Sequence, residues 1–298
     1  MLSINYANVC VQNIILNGLS ETIKLAVLRL DRLHPIISGN KWFKLKLQLQ
    51  EAVNNNYDGI ITFGGAYSNH VVAVAYACNM IGLQSIGIIR GEAPKKLSHT
   101  LLAAKDNRME LQFVARTAYD NKTLLQQNFQ HKNLYIIPEG GYTVLGANGV
   151  NEMFKWINKN YTHIVCAVGT GTMMAGLIKG ALPHQKIVGI NVLKGHDGLL
   201  NEVKDLLTKQ EQKKQFELIE GYHFGGYAKH PQVLINWMNL LYGQHKLPTD
   251  IVYTSKLFYG VIDLIRQDYF PTNSNIMVVH SGGLQGNLSL PKGTLVFD

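Results

Sequence analysis

Apolar residues in this chain fall into two alternating kinds of run. One kind is short and apolar on both sides of the backbone: IKLAVLRL from residue 23, GIITF from 59, QSIGII from 84, LYIIP from 134, HIVCAV from 163, KIVGINV from 186 and NIMVVH from 275. The other kind repeats at helical spacing, as in Trp42, Leu45, Leu49 and Ala52, with Lys44, Lys46 and Gln48 between them. The same spacing recurs in Val71, Val74, Ala75 and Cys78, in Val150, Met153, Phe154 and Ile157, and in Val233, Trp237, Leu240 and Leu241. Short runs without alternation predict strands covered on both faces, and the helical spacing predicts core-facing helices, one from Asn40 to about Val53 and one from Ser68. Strand and helix in alternation give an α/β fold of parallel-rich sheets covered by helices.

A chain of 298 residues exceeds an ordinary single domain, so two lobes are expected, with a boundary near the glycine-rich EGGYTVLGANG at 139–149. No internal repeat appears, and KDLLTKQEQKKQ at 204–215 reads as a solvated helix end or surface loop.

Composition narrows the partners. With 46% hydrophobic and 16% charged residues the chain supports a sizeable core and no disordered region is expected. The net charge of +8 comes from scattered basic residues without interleaved aromatics, which favours anionic small molecules and gives no nucleic-acid surface. Cys10, Cys78 and Cys166 are far apart, and the last two sit in apolar stretches where a free thiol packs as a small hydrophobe. The first residues, MLSINYANVCVQNIIL, lack the marks of a secretory signal. The apolar run from Val71 to Leu83 is broken by Asn79 and too short to cross a bilayer. The expected setting is cytoplasmic, with no membrane partner.

Three segments carry candidate chemistry. In SGNKWFK at 38–44, a lysine follows a glycine and an amide at a helix start. The positive end of the helix lowers the amine pKa of Lys41, as holding an aldehyde cofactor requires, while Gly39 leaves room for a planar ligand and Asn40 is placed to cap the helix. TFGGAYSNH at 62–70 ends a strand and opens a helix, presenting Ser68 and Asn69 above a sheet edge. VGTGTMMAG at 168–176 does the same with Gly169, Thr170, Gly171 and Thr172, and this makes an anion cradle. Each loop alone also fits a plain capped helix. A dinucleotide site would place an acidic residue after the next strand, but KIVGINVLK ends in Lys194, so a monophosphate is preferred. No GxSxG elbow, HExxH helix or Walker loop is present, and the 11 histidines show no metal-ligand pairing, so no metal is expected.

Taken jointly, the lysine after Asn, the GGxxSN loop and the glycine–threonine cradle resemble fold-type II pyridoxal-phosphate enzymes. IPEGGYTVLGANG at 137–149, GGYAK at 225–229, VYTSKLFYG at 252–260 and VVHSGG at 278–283 narrow the resemblance to the 1-aminocyclopropane-1-carboxylate deaminase and D-cysteine desulfhydrase family. The resemblance implies a cofactor, pyridoxal 5'-phosphate, lying between a large domain of residues 1–50 and 151–298 and a small domain of residues 51–150. It also implies a homodimer. Lys41 would form the internal aldimine and, once displaced by the substrate amine, serve as the proton-transfer base. Lys44 and the loop Gly169, Thr170, Gly171 and Thr172 would bind the phosphate. Ser68, Asn69 and His70 would line the substrate carboxylate and the ring hydroxyl, with Tyr227 and Tyr253 near the reacting centre and Thr254 against the pyridine nitrogen.

The deaminase carries a glutamate at that last position. A neutral Thr254 leaves a weaker electron sink, adequate when a good β leaving group departs, which favours α,β-elimination on a small amino acid such as D-cysteine to pyruvate, ammonia and sulfide. Tyr67, where a glutamine is usual, would narrow the substrate pocket. WF at 42–43 and a shorter N-terminus also depart from the pattern. The rival readings are cyclopropane deamination, racemisation, a non-catalytic cofactor-binding protein and a dinucleotide reductase.

Overall fold

The structure, a computed structural model, describes residues 4–15, 22–127, 129 and 132–297. Residues 1–3 and 16 of the segment compared above with a secretory signal lie outside the described residues. The strands are β1 (Cys10–Ile14), β2 (Lys24–Arg29), β3 (Gly59–Gly64), β4 (Gln84–Arg90), β5 (Glu110–Val114), β6 (Leu134–Ile137), β7 (His163–Val168), β8 (Lys186–Asn191), β9 (Phe216–Ile219) and β10 (Asn275–His280). The helices are α1 (Asn40–Asn54), α2 (Asn69–Ile81), α3 (His99–Asp106), α4 (Arg116–Tyr119), α5 (Lys122–Gln127), α6 (Val144–Asn151), α7 (Thr172–Gly180), α8 (Leu199–Asp205), α9 (Gln232–His245) and α10 (Thr254–Arg266).

One sheet has six strands in the order β1-β2-β10-β7-β8-β9, parallel except for β1. The other has four parallel strands in the order β5-β4-β3-β6. The seven runs read from the sequence all form strands, and β3 is buried at every position. The pattern misses β1, β5 and β9 for a common reason. All three are edge strands, only partly covered, so they carry no continuous apolar run.

The helix predicted from Asn40 spans α1, with Trp42, Leu45, Leu49 and Ala52 buried as expected. Lys44 and Gln48, read as polar positions between them, are buried too, because α1 packs against α2, α6 and the turn at Glu139–Gly141. Two other stripes need correction. In α9 the core face is Leu234, Ile235, Met238 and Leu241, while Val233 and Leu240 are exposed. The stripe from Val150 leaves the α-helix at Asn151 and continues as a 3-10 turn over Glu152–Lys155.

Candidate active site

Parallel sheets present their ligands at the carboxyl ends of the strands, and a cavity of about 630 Å³ opens there between the two sheets. The four-stranded sheet supplies, in sheet order, Arg116 after β5, Arg90 at the end of β4, the Gly65–His70 turn after β3 and Glu139 after β6. The six-stranded sheet supplies Ser281 after β10, the Gly169–Gly171 loop after β7 and Lys194 after β8. Helix α1 brings Lys41 and Lys44 to the same cavity.

Lys41 is placed by a close approach of two backbones. Gly39 has φ +59, and a Cβ there would lie 1.8 Å from the Ser281 carbonyl oxygen, so no larger residue fits. The Asn40 N–H donates to that carbonyl at 3.1 Å, seating the first turn of α1 on the loop after β10. Asn40 is therefore not the cap expected from sequence. It is the first helical residue, and its Oδ1 accepts a hydrogen bond from Lys41 Nζ at 2.8 Å. Burial lowers the Lys41 amine to about 8, against the opposing charge of Asp250. Lys44 is lower still, at about 7, through burial and the adjacent Lys41 charge.

The β3–α2 turn is closed by Ser68, whose Oγ accepts the Val71 N–H at 3.3 Å as a true helix cap. Asn69 Nδ2 donates to the Gly283 carbonyl at 3.5 Å, while its buried Oδ1 has no partner. The Thr62 hydroxyl donates to the Ile137 carbonyl at 2.8 Å, so at 2.9 Å from His70 Nε2 it accepts that proton, which assigns the tautomer and leaves buried Nδ1 without a partner. Burial and the charges of Lys41 and Lys44 push His70 down to about 3, so it is neutral. A bare ring nitrogen suits a hydroxyl or ammonium donor, not a carboxylate. Tyr67 lies at the cavity mouth, 55% exposed, with its ring 5.8 Å from that of His99.

At the opposite wall, Tyr227 and Tyr253 meet edge to face with ring centroids 6.4 Å apart, and Lys41 Nζ is 5.7 Å from the Tyr253 ring centre. Burial of the Tyr253 phenol, loss of water around that of Tyr227, a residue 47% exposed, and the nearby charge of Asp250 raise both above their ordinary value, so both keep their protons. Two expected cofactor residues, Thr172 and Thr254, are fully buried and stand behind the cavity wall rather than on it. The Thr254 hydroxyl donates to Asp250 Oδ2 at 2.6 Å and accepts the Asp250 N–H at 2.7 Å.

Sequence reasoning missed Asp250, Arg90, Arg116 and Glu139. Asp250 is buried, and its carboxylate caps the start of α10 by accepting the N–H groups of Val252, Tyr253 and Thr254 at 2.8, 2.8 and 3.0 Å. An aspartate just ahead of a helix is a readable cap signal. Arg90 could have been read as a charged end to an apolar strand. Its guanidinium lies 5.7 Å over the Tyr119 ring and, like that of Arg116, has no ion pair among the described residues. Glu139 is already neutralised by Lys122 at 2.7 Å.

The cavity thus holds a half-buried amine at the first turn of a helix and a buried second one, that of Lys44, without a hydrogen-bond partner among the described residues. Facing them is the uncapped start of α7 behind Gly171 at φ +76. These suit an aldehyde that also carries a phosphate. The sequence profile described as pyridoxal-phosphate dependent enzyme matches residues 14–282. The chain belongs to that family. A Thermotoga maritima protein named for 1-aminocyclopropane-1-carboxylate deaminase is 31% identical over 297 residues, covering 91% of this chain and 93% of its own. The mitochondrial bifunctional D-cysteine desulfhydrase/1-aminocyclopropane-1-carboxylate deaminase of Arabidopsis thaliana is 28% identical over 302 residues, covering 91% and 75%. Among solved structures, an ACC deaminase homologue superposes with a TM-score of 0.76 at 26% identity, covering 94% of this chain and 90% of that one. The fold is that of fold-type II pyridoxal-phosphate enzymes, and the expected cofactor stands. No helix among the described residues is long and apolar enough to cross a membrane.

The orphaned atoms give the cofactor a fit that does not depend on likeness. Unpartnered Asn69 Oδ1 and His70 Nδ1 belong to residues on the cavity wall and would serve the cofactor ring, while Lys44 with the α7 start would hold its phosphate. Lys44→Met is expected to weaken cofactor retention by tenfold or more, on the order of a lost charge-assisted bond, without lowering the melting temperature. Equilibrium dialysis beside a thermal melt checks this. Lys44 is a cleaner test than Gly171→Asp, because a side chain at Gly171 would also crowd Val203 at 3.1 Å.

Lys41 and Lys44 are held below the ordinary lysine value of 10.5, so in the cofactor-free protein the unfolded chain binds more protons than the folded one between about pH 7 and 10.5. Cofactor-free protein is therefore expected to gain stability as pH rises from 7 to 9. Cofactor-loaded protein should gain less, since phosphate restores the Lys44 charge. Melting temperatures of both forms across that range are the check.

Proposed function

We propose that this enzyme is a β-eliminating lyase acting on a small amino acid, with D-cysteine as the preferred substrate and pyruvate, ammonia and sulfide as products. The observation that carries the reading is at the start of α10. Thr254 is fully buried and its hydroxyl is spent on Asp250, so no carboxylate side chain from α10 faces the cavity. Bound pyridoxal phosphate supplies the electron sink that accepts the α-carbon electron pair, and without an α10 carboxylate against the ring nitrogen that sink is moderate, which suits a substrate with a good leaving group.

The chain's own residues divide the remaining work. Lys41 holds the cofactor and, released from it, takes the α-proton; an amine lowered to about 8 is neutral often enough at physiological pH to act as a base. Ser68 and Asn69 orient the substrate carboxylate, while Arg90 and Arg116 at the mouth, unpaired among the described residues, attract that carboxylate end of the zwitterion. His70, with a free acceptor, holds a hydroxyl donor. Tyr227 and Tyr253, both protonated, stand ready to give a proton to the departing group. Three unpaired cysteines support a reducing, cytoplasmic setting.

The test is a product-resolved assay of the loaded enzyme with D-cysteine, L-cysteine and 1-aminocyclopropane-1-carboxylate. Sulfide and pyruvate from D-cysteine are expected at a higher kcat/KM than 2-oxobutyrate from the cyclopropane. Faster ring opening would return the protein to the deaminase reading.

A further inference from the structure

Lys256 is fully buried in α10, yet no ion pair among the described residues accompanies it, and the opposing charge of Asp250 acts on it only from beyond contact distance. Its Nζ donates to the Gly226 carbonyl at 2.7 Å. A buried ammonium is costly to keep, and a leucine or methionine would fill the same space without that cost. The bond it makes is therefore the feature to explain.

Gly226 belongs to a turn with unusual backbone. Phe224, Gly225, Gly226 and Ala228 have φ of +50, +96, +121 and +55, so Tyr227 is the one residue from 224 to 228 outside the left-handed region. Phenylalanine and alanine adopt that region reluctantly, and a segment holding both needs outside support. Most hydrogen bonds of the turn are internal: Gly226 N–H to the His223 carbonyl, Lys229 N–H to the Gly226 carbonyl, and His230 Nδ1 with the Ala228 carbonyl. Apart from the contact between the Tyr227 and Tyr253 phenols, the Lys256 bond is the hydrogen-bonded tether from the rest of the fold to residues 223–230 among the described residues. It comes from the helix that begins directly after Tyr253.

We propose that Lys256 is a positioning residue that clamps the Tyr227 turn to α10 and so fixes the two tyrosines against each other over the Lys41 amine. The assignment rests on the catalytic part given above to Tyr227. Lys256 touches neither substrate nor cofactor site: it is not on the cavity wall, and it acts through the Gly226 carbonyl.

The test uses cofactor-loaded Lys256→Met, which keeps length and burial but not the donor, and Lys256→Gln, which keeps a donor. In Lys256→Met, hydrogen exchange of the amides at 224–229 is expected to quicken by about tenfold or more, and kcat to fall by about tenfold with KM and cofactor retention within about threefold. Lys256→Gln should recover part of both. Adding Lys256→Met to Tyr227→Phe should lower kcat by less than about twofold further, because the tether works through that tyrosine. Exchange at 224–229 within about twofold of wild type, or a kcat loss that simply multiplies that of Tyr227→Phe, would overturn the proposal. Should Lys256→Met fail to fold, the same two readouts on Lys256→Gln decide it, with a smaller expected change. A Tyr227→Phe enzyme of unchanged kcat would instead remove the catalytic role of Tyr227 and leave the exchange result to judge the tether alone.

Discussion

Replacing Lys41 by alanine is expected to lower pyruvate formation by on the order of a thousandfold or more, because in the proposed mechanism one side chain supplies both the covalent anchor and the proton-transfer base. The geometry leaves no substitute. Lys44 is in the same cavity, but it has no ion pair among the described residues and is assigned to the phosphate, and Lys256 is behind the wall with its ammonium given to a carbonyl. The fold should survive the change, since the Lys41 side chain donates one hydrogen bond, to its own neighbour Asn40. Loss of turnover with a normal melting temperature is the expected pair of results, read by a keto-acid assay and a thermal melt. Turnover within about tenfold of wild type would mean that another group carries the proton.

Asp250→Ala should have the largest effect on stability. Its buried carboxylate accepts three backbone N–H groups and the Thr254 hydroxyl, and all four donors lose their partner together. Hydrogen bonds to a charged group contribute more than neutral ones, so a loss of about 3 kcal/mol or more is expected from denaturant unfolding. The milder Asp250→Asn keeps the shape and removes the charge. Asp250 raises the Lys41 amine against the downward push of burial, so without it the amine falls below about 8. Cofactor uptake by the free protein needs a neutral amine. Its rate therefore rises with pH through that value, and in Asp250→Asn the midpoint is expected at lower pH. An unchanged midpoint would show that the Asp250 charge does not reach Lys41.

Much of the scaffold was legible because buried parallel strands announce themselves as unbroken apolar runs. The strands that escaped, β1, β5 and β9, sit at sheet edges where burial is partial and the pattern fades. The α9 stripe failed for a different reason: Val233 and Leu240 keep helical spacing with the core face but are turned to solvent, and apolar character alone does not separate the two sides. At the site, Lys41, Ser68 and the Gly169–Gly171 loop were readable because helix starts and glycine turns are local features. Asp250 was legible only as a helix cap; its burial and its charge acting on Lys41 arise from the tertiary packing and were not. Thr254 is legible to the same extent. Sequence gives a neutral hydroxyl there, while the structure adds a carboxylate directly behind it and removes the hydroxyl from the cavity wall. Lys256 looked like any helical lysine until its partner, thirty residues earlier in the chain, was in place.

The central claim is that Lys41 carries the cofactor. Borohydride reduction of the loaded protein, followed by proteolysis and mass spectrometry, tests it most directly, because three lysines in this region, Lys41, Lys44 and Lys256, have amines lowered to about 8, 7 and 8. The reduced cofactor is expected on the peptide containing Lys41 alone. Labelling at Lys44 or Lys256, with Lys41 unmodified, would contradict the account.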